Sequence, residues 1–179
     1  MANENSSLRM TVTLVVIAAV IALAMSYVNT LTAPVIAENA EKALNESLAI
    51  VLPAESYELV CEEPAVYKAV KGNEQIGVCV VNYAKGYGGD IKILSGISND
   101  GSVNKIEILE MSETPGLGAN AKNDSFKGQY EGKSGVLGVS KTNKSNTEIL
   151  AISGATITSK AVTEPVNAAF ETAKQWGVE

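Results

Sequence analysis

Residues 90–111 read DIKILSGISNDGSVNKIEILEM. In 90–98 and again in 103–111 apolar residues recur at short intervals, the pattern of strands with one face toward a core. Between the two runs stands Asn99-Asp100-Gly101, residue types that tolerate the positive φ of a tight turn. The stretch therefore predicts an antiparallel hairpin. QIGVCVVNY, residues 75–83, is a third strand candidate upstream, while 53–76 shows nothing diagnostic. Downstream, the polar SKTNKSNTE of 140–148 reads as a loop, and EILAI of 148–152 as a short strand. From residue 162 onward, Val162, Val166, Ala169, Phe170, Ala173 and Trp176 fall on one helical face. Pro165 predicts either a start of this helix near Thr163 or a kink. The fold class is α+β, an antiparallel sheet with flanking helices.

The N-terminal part has another character. Met10 to Val28 carries no charge, and as a helix it measures roughly 28 Å, close to the hydrocarbon thickness of a bilayer. Ala22-Leu23-Ala24 resembles a signal-peptidase site, but the apolar run continues past it, which favours an uncleaved anchor. Arg9 precedes the span, and Glu38 and Glu41 are the first charges after it, so the weak positive bias places the N-terminus in the cytoplasm. Ile36, Ala40, Ala43, Leu44, Leu48 and Val51 keep helical spacing between Pro34 and Pro53. The expected organisation is a cytoplasmic N-terminus at 1–9, a transmembrane helix at 10–28, a juxtamembrane helix at 29–52 and an extracytoplasmic domain at 53–179.

Composition excludes several functions. The formal charge of −6, with no basic run, argues against nucleic acid as partner. The 179 residues include no histidine, and the two cysteines, Cys61 and Cys79, form no CxxC pair, so ligands for haem, iron–sulfur clusters or zinc are lacking. Redox chemistry on this chain needs an organic cofactor. Cys79 lies in an apolar strand and is by default a small buried residue; a disulfide with Cys61 outside the cytoplasm stays open.

One motif stands out. In SGATITS, residues 153–159, a strand gives way to a helix amid crowded hydroxyls, and the free amides of a helix start favour an anion. The plain alternative is that Gly154 makes a turn and Thr158 or Ser159 caps the helix.

SGATITSKAVT, together with SETPGLGANA at 112–121 and GYGGDIKI at 86–93, resembles the FMN-binding domain family, most of all the G subunit of the Rnf electron-transport complex and the C subunit of the sodium-translocating NADH:quinone reductase. The resemblance runs from about Gly77 to Trp176, and the single anchor helix fits it. It implies that the threonine closing the SGAT motif, Thr156, carries one FMN through a phosphoester, with Ser153, Gly154 and Ala155 shaping the attachment. The family often has Asp six residues before that threonine; here Leu150 stands there. A threonine hydroxyl with no neighbouring base is a poor nucleophile, so a separate flavin transferase is expected to attach the cofactor. Thr158 and Ser159 are then further donors to the phosphate.

For the ring, ETPGLG offers a surface. Pro115 stiffens the loop, Gly116 and Gly118 allow close approach, Leu117 packs on the ring face, and Glu113 and Thr114 reach its polar edge; a plain turn is the alternative. Tyr87 in GYGG is a stacking candidate. The resemblance implies an electron relay among other membrane subunits of a complex coupling ferredoxin and NAD oxidoreduction to sodium or proton transport. Without a dinucleotide fingerprint, the chain itself is expected to bind neither NAD nor ferredoxin. Two other classes remain. A pilin-like structural protein needs no cofactor, and a membrane-anchored redox sensor calls for long cytoplasmic sequence, where nine residues stand before this span.

Overall fold

The computed structural model describes residues 4–142 and 145–178. Asn143 and Lys144, inside the loop expected at 140–148, lie outside the described residues, as do the first three residues and the last. The chain divides into residues 1–42 and 43–179.

Helix α1, Glu4–Val51, has 48 residues and would measure about 72 Å. Within Ser7–Val51 an 18-residue window has mean hydropathy 2.4, and none of it is buried against protein. By length and composition this helix is able to cross a bilayer. Where the sequence suggests a helix boundary at Pro34, the structure has Pro34 inside a continuous helix. The missing N–H costs one backbone bond, about 3 kcal/mol, which the long helical runs on either side outweigh. Pro53 does follow directly after the helix and Leu52.

The second unit is built on a five-stranded antiparallel meander, β1 (Ser56–Glu62), β2 (Ala65–Lys71), β3 (Glu74–Lys85), β4 (Asp90–Ser98) and β5 (Val103–Glu110), with neighbours in chain order. The β4–β5 hairpin is the one read from residues 90–111. Gly101 at its turn has φ +74° and donates to Ser98 O at 2.9 Å, while Asp100 Oδ1 accepts from Ser102 N at 3.0 Å. Strands β1 and β2 were not read from the sequence: β1, SYELVCE, is largely exposed, and Val60 interrupts the alternation of Tyr57, Leu59 and Cys61 with polar residues.

Both faces of the sheet are covered, which is why β3 reads as an unbroken apolar run rather than an alternation. Val66, Val78, Val80, Ile91, Ile93 and Ile106 point to one side, with Val162, Val166, Ala169 and Phe170 of α3 (Thr156–Gln175). Ala69, Cys79, Val81 and Leu94 point to the other, where Leu48 and Val51 from the last turns of α1 seal them. Burying each larger side chain contributes about 1.5–3 kcal/mol. Asn104 Nδ2 donates to Val51 O at 2.7 Å and fixes that helix end on the sheet.

This geometry decides the cysteine question. Cys61 is opposite Val66, and Val66 is opposite Val80, so Cys61 shares a face with Val80. Cys79, one residue away, points to the other face. Both thiols are free.

From β5 the chain crosses through a 3₁₀ turn (Gly118–Lys122) and a short α2 (Asp124–Lys127) to β6 (Gly138–Ser140), which pairs in parallel with β7 (Glu148–Leu150). Gln129 bonds both backbone groups of Leu150, and Asn167 of α3 bonds both of Leu137. These four bonds hold the β6–β7 pair, and the turn after it, in place. Helix α3 starts at Thr156, seven residues before the start suggested by Pro165, which lies within it. Its proline costs one helical bond, and Asn82 Nδ2 on β3 donates to Pro165 O at 3.1 Å, tying this turn of the helix to the sheet.

Candidate functional site

Two turns aim their hydroxyls and loops at one cavity. Ala155 N donates to Ile152 O at 2.9 Å, closing a turn over Ser153-Gly154 in which Gly154 takes φ +76°. Leu117 N donates to Thr114 O at 3.2 Å, closing Thr114-Pro115-Gly116-Leu117 with Gly116 at φ +78°. In both, glycine fills the third position, where a type II turn demands positive φ, and in the second proline sits just before it. The turns lie side by side, with Leu117 next to Gly154, and residues of both line a cavity of about 840 Å³.

Its wall contains Ser153, Gly154, Ala155, Thr156, Thr158, Glu113, Thr114, Leu117 and Tyr87, all singled out from the sequence. Gly116 forms the turn but does not line the cavity. Ser159 is fully buried behind it: its hydroxyl donates to Ala155 O at 2.9 Å and accepts from Ile152 N at 3.0 Å. Ser159 thus locks the strand-to-helix junction. The wall also includes Gly118, Lys141, Leu150, Ala151, Ile152 and Ile157. The apolar run before SGAT signals some of these in the sequence; Lys141, in a polar loop, had no signal.

Glu113 organises the site. Its Oε1 accepts from Tyr87 N at 2.7 Å and Gly88 N at 3.0 Å, and its Oε2 accepts from Thr158 Oγ1 at 2.9 Å. One buried carboxylate thereby joins the GYGG loop, the ETPGLG loop and the first turn of α3. The glycines beside it are required by space, since a Cβ on Gly118 would lie 2.7 Å from Thr158 Oγ1 and collide with Glu113 Oε2. Deeper, Thr163 Oγ1 donates to Ser159 O at 2.9 Å and pairs with Tyr130 Oη at 2.8 Å. Burial pushes the Tyr130 phenol above its usual pKa, outweighing the opposing effect of its hydrogen bond with Thr163.

The hydroxyls of SGATITS thus separate by role. Those of Thr158 and Ser159 are engaged within the protein. The hydroxyls of Thr156, half-buried on the first residue of α3, and of Ser153, exposed in the turn before it, have no hydrogen-bond partner among the described residues. The N-cap, Ala155, offers no side-chain acceptor either. The amides of Thr156, Ile157 and Thr158 therefore lack an intrahelical acceptor and open the positive end of the helix dipole beside a free hydroxyl. Four large apolar side chains of the wall, Tyr87, Leu117, Leu150 and Ile157, are exposed. A cavity with an apolar wall, open amides and free hydroxyls at Thr114, Ser153 and Thr156 suits a flat ring bearing a phosphate.

Comparison with known proteins agrees with this geometry. The FMN-binding domain family model matches residues 86–171, and the model of the RnfG N-terminal region matches residues 1–51. The G subunit of the proton-translocating ferredoxin:NAD(+) oxidoreductase complex of Clostridium ljungdahlii is 37% identical over 171 residues, covering 94% of this chain and 92% of that protein. The chain belongs to the RnfG family. The G subunit of the Na(+)-translocating ferredoxin:NAD(+) oxidoreductase complex of Acetobacterium woodii is 36% identical over 180 residues, covering 88% of this chain and 87% of the relative. In fold, this RnfG-family chain is similar to the crystal structure of the C subunit of the Na(+)-translocating NADH-quinone reductase from Parabacteroides distasonis. That match has a TM-score of 0.55 at 22% identity, over 64% of this chain and 63% of that one.

Proposed function

We propose that this chain is the electron-relay component of a membrane complex that couples ferredoxin and NAD oxidoreduction to ion transport, and that it bears one FMN esterified to Thr156. The single observation that carries the reading is the position of Thr156: a free hydroxyl at the open N-terminus of α3, on the wall of a cavity of about 840 Å³. Bound there, FMN takes up and passes on electrons one at a time. The protein's part is to hold and shield it. The open amides of Ile157 and Thr158 suit the charge that a phosphodiester keeps, and Leu117, Leu150 and Ile157 suit the ring.

The chain does not carry the means to attach its own cofactor. It has no histidine, and the one carboxylate of the cavity wall among the described residues, Glu113, bonds Thr158, Tyr87 and Gly88 rather than Thr156. A separate transferase supplies the base and the flavin donor. Partners are other membrane subunits, and NAD and ferredoxin are handled by those partners. The orientation we favour follows from Arg9 before the span and Glu38 and Glu41 after it: N-terminus in the cytoplasm, domain outside. There a covalent link keeps the cofactor from diffusing away. A pilin-like protein would have no use for such a cavity.

The test is mass spectrometry of the intact chain made together with its transferase. The wild type should gain the mass of one FMN less water, and Thr156→Ala should gain nothing while keeping its fold. An unmodified wild type, or a flavin retained covalently by Thr156→Ala, overturns the assignment.

A further inference from the structure

Among the described residues two charged side chains line the cavity, and they differ in what they touch. Glu113 is buried and saturated by three protein donors. Lys141 is exposed and has no hydrogen bond or ion pair among the described residues. Several lysines elsewhere in the domain, such as Lys71, Lys85 and Lys160, are equally without an ion pair among the described residues, so what sets Lys141 apart is its place on the cavity wall. The backbone that presents Lys141 is nonetheless fixed. Ser140, just before it, ends β6, pairs with Leu150 of β7, and accepts from Ala151 N at 2.8 Å. Lys141 therefore rises beside the apolar run Leu150-Ala151-Ile152, whereas the open amides and the free Thr156 hydroxyl belong to the start of α3. An apolar wall receives the ring; the helix start receives the phosphate.

From this division we infer that Lys141 is a positioning residue for the ring's charge: it sets the reduction potential of the bound flavin by stabilising the negative charge the ring gains on reduction. The inference rests on the reading that FMN is held on Thr156. Charge balance supports it. The wall already holds the Glu113 carboxylate, and a phosphodiester on Thr156 adds a second negative charge close by. Each electron delivered to the ring adds one more unless a proton follows. Lys141 is the cation on the wall that opposes this accumulation. The phosphate has the α3 dipole and amides for itself, and its charge is the same before and after reduction.

The test uses the full chain in detergent, flavinylated by its transferase, as wild type, Lys141→Met and Lys141→Arg. Intact mass comes first, so that a wild type without flavin is recognised as a failure of the underlying reading. Each loaded protein is then titrated with dithionite and mediator dyes, and the flavin spectrum gives its equilibrium with a reference dye. A unit charge pair near a protein surface lies between the water limit and the partly desolvated limit, so Lys141→Met should lower the equilibrium constant for reduction roughly tenfold, about 59 mV for one electron. Lys141→Arg should stay within about twofold of wild type. High salt should narrow the gap between wild type and Lys141→Met, since the side chain is exposed. Equal potentials in loaded wild type and Lys141→Met overturn the inference. So does a folded Lys141→Met that no longer accepts flavin while Lys141→Arg does, because that result makes Lys141 a phosphate anchor.

Discussion

The hydrogen bond between Thr158 and Glu113 is the place where the structure changes what a substitution should do. Read from the sequence, Thr158 is a capping candidate, and its loss would cost about 1 kcal/mol. In the structure it donates at 2.9 Å to a buried carboxylate and is itself 1% exposed, so water cannot replace it. Hydrogen bonds to charged groups contribute about 1.5–3 kcal/mol, and Thr158→Val should cost that much, because it deletes the donor at nearly constant shape. Glu113→Ala removes the same bond together with those from Tyr87 N and Gly88 N, and should cost about 3–5 kcal/mol. If the two side chains stabilise each other, the double variant falls short of additivity by about 1.5–3 kcal/mol. Urea unfolding of the full chain in detergent reads this directly. Trp176, the single tryptophan, follows the helix α3, and Lys68 Nζ over its ring at 5.5 Å makes its emission sensitive to packing. A coupling below about 0.5 kcal/mol would mean that the carboxylate does not join α3 to the loops, and the account of how the cavity is held would be wrong.

Other expectations follow from single positions. Leu117→Ala should leave the ester on Thr156 intact and make flavin fluorescence more easily quenched by iodide; unchanged quenching would show that the ETPGLG turn does not cover the ring. Mild oxidation of the folded chain should produce no Cys61–Cys79 bridge, because the thiols lie on opposite faces of the sheet. Burial pushes the Cys79 thiol up to about 12, so a maleimide should reach Cys79 only on unfolding, and labelling of the native chain at Cys79 would contradict the packing. Val136 is 79% exposed, so in a Cys61→Ser background Val136→Cys should react with a membrane-impermeant thiol reagent in intact cells. Reaction only after lysis would invert the orientation.

Much of the outline was legible because it rests on local rules. The β4–β5 hairpin is written in its alternation and in the Asn99-Asp100-Gly101 turn, and the apolar face of α3 in its spacing. The turns at Gly154 and Gly116 rest on local rules too, since both glycines sit where positive φ leaves little choice, whereas Thr156 was singled out by the family resemblance and not by local pattern. Strands β1 and β2 escaped because their partners, not their own composition, make them strands. Pro34 and Pro165 misled in the same way, since a local penalty of a few kcal/mol is overridden by the helical runs on either side or by packing across a whole helix. Only the tertiary structure could divide the hydroxyls of SGATITS, for their roles depend on partners distant in sequence. Thr158 meets Glu113 from 45 residues away, Ser159 closes the junction beneath, and Ser153 and Thr156 are left free, of which only Thr156 stands on the helix start. Lys141 is the same case: nothing in a polar loop announces it, and it lines the cavity because the parallel pairing of β6 with β7 carries it beside the strand that leads into the motif. Sequence determines what a residue can do by its chemistry and its neighbours along the chain. Which hydroxyl stays free, and which charge is left unpaired, is settled by contacts across the fold.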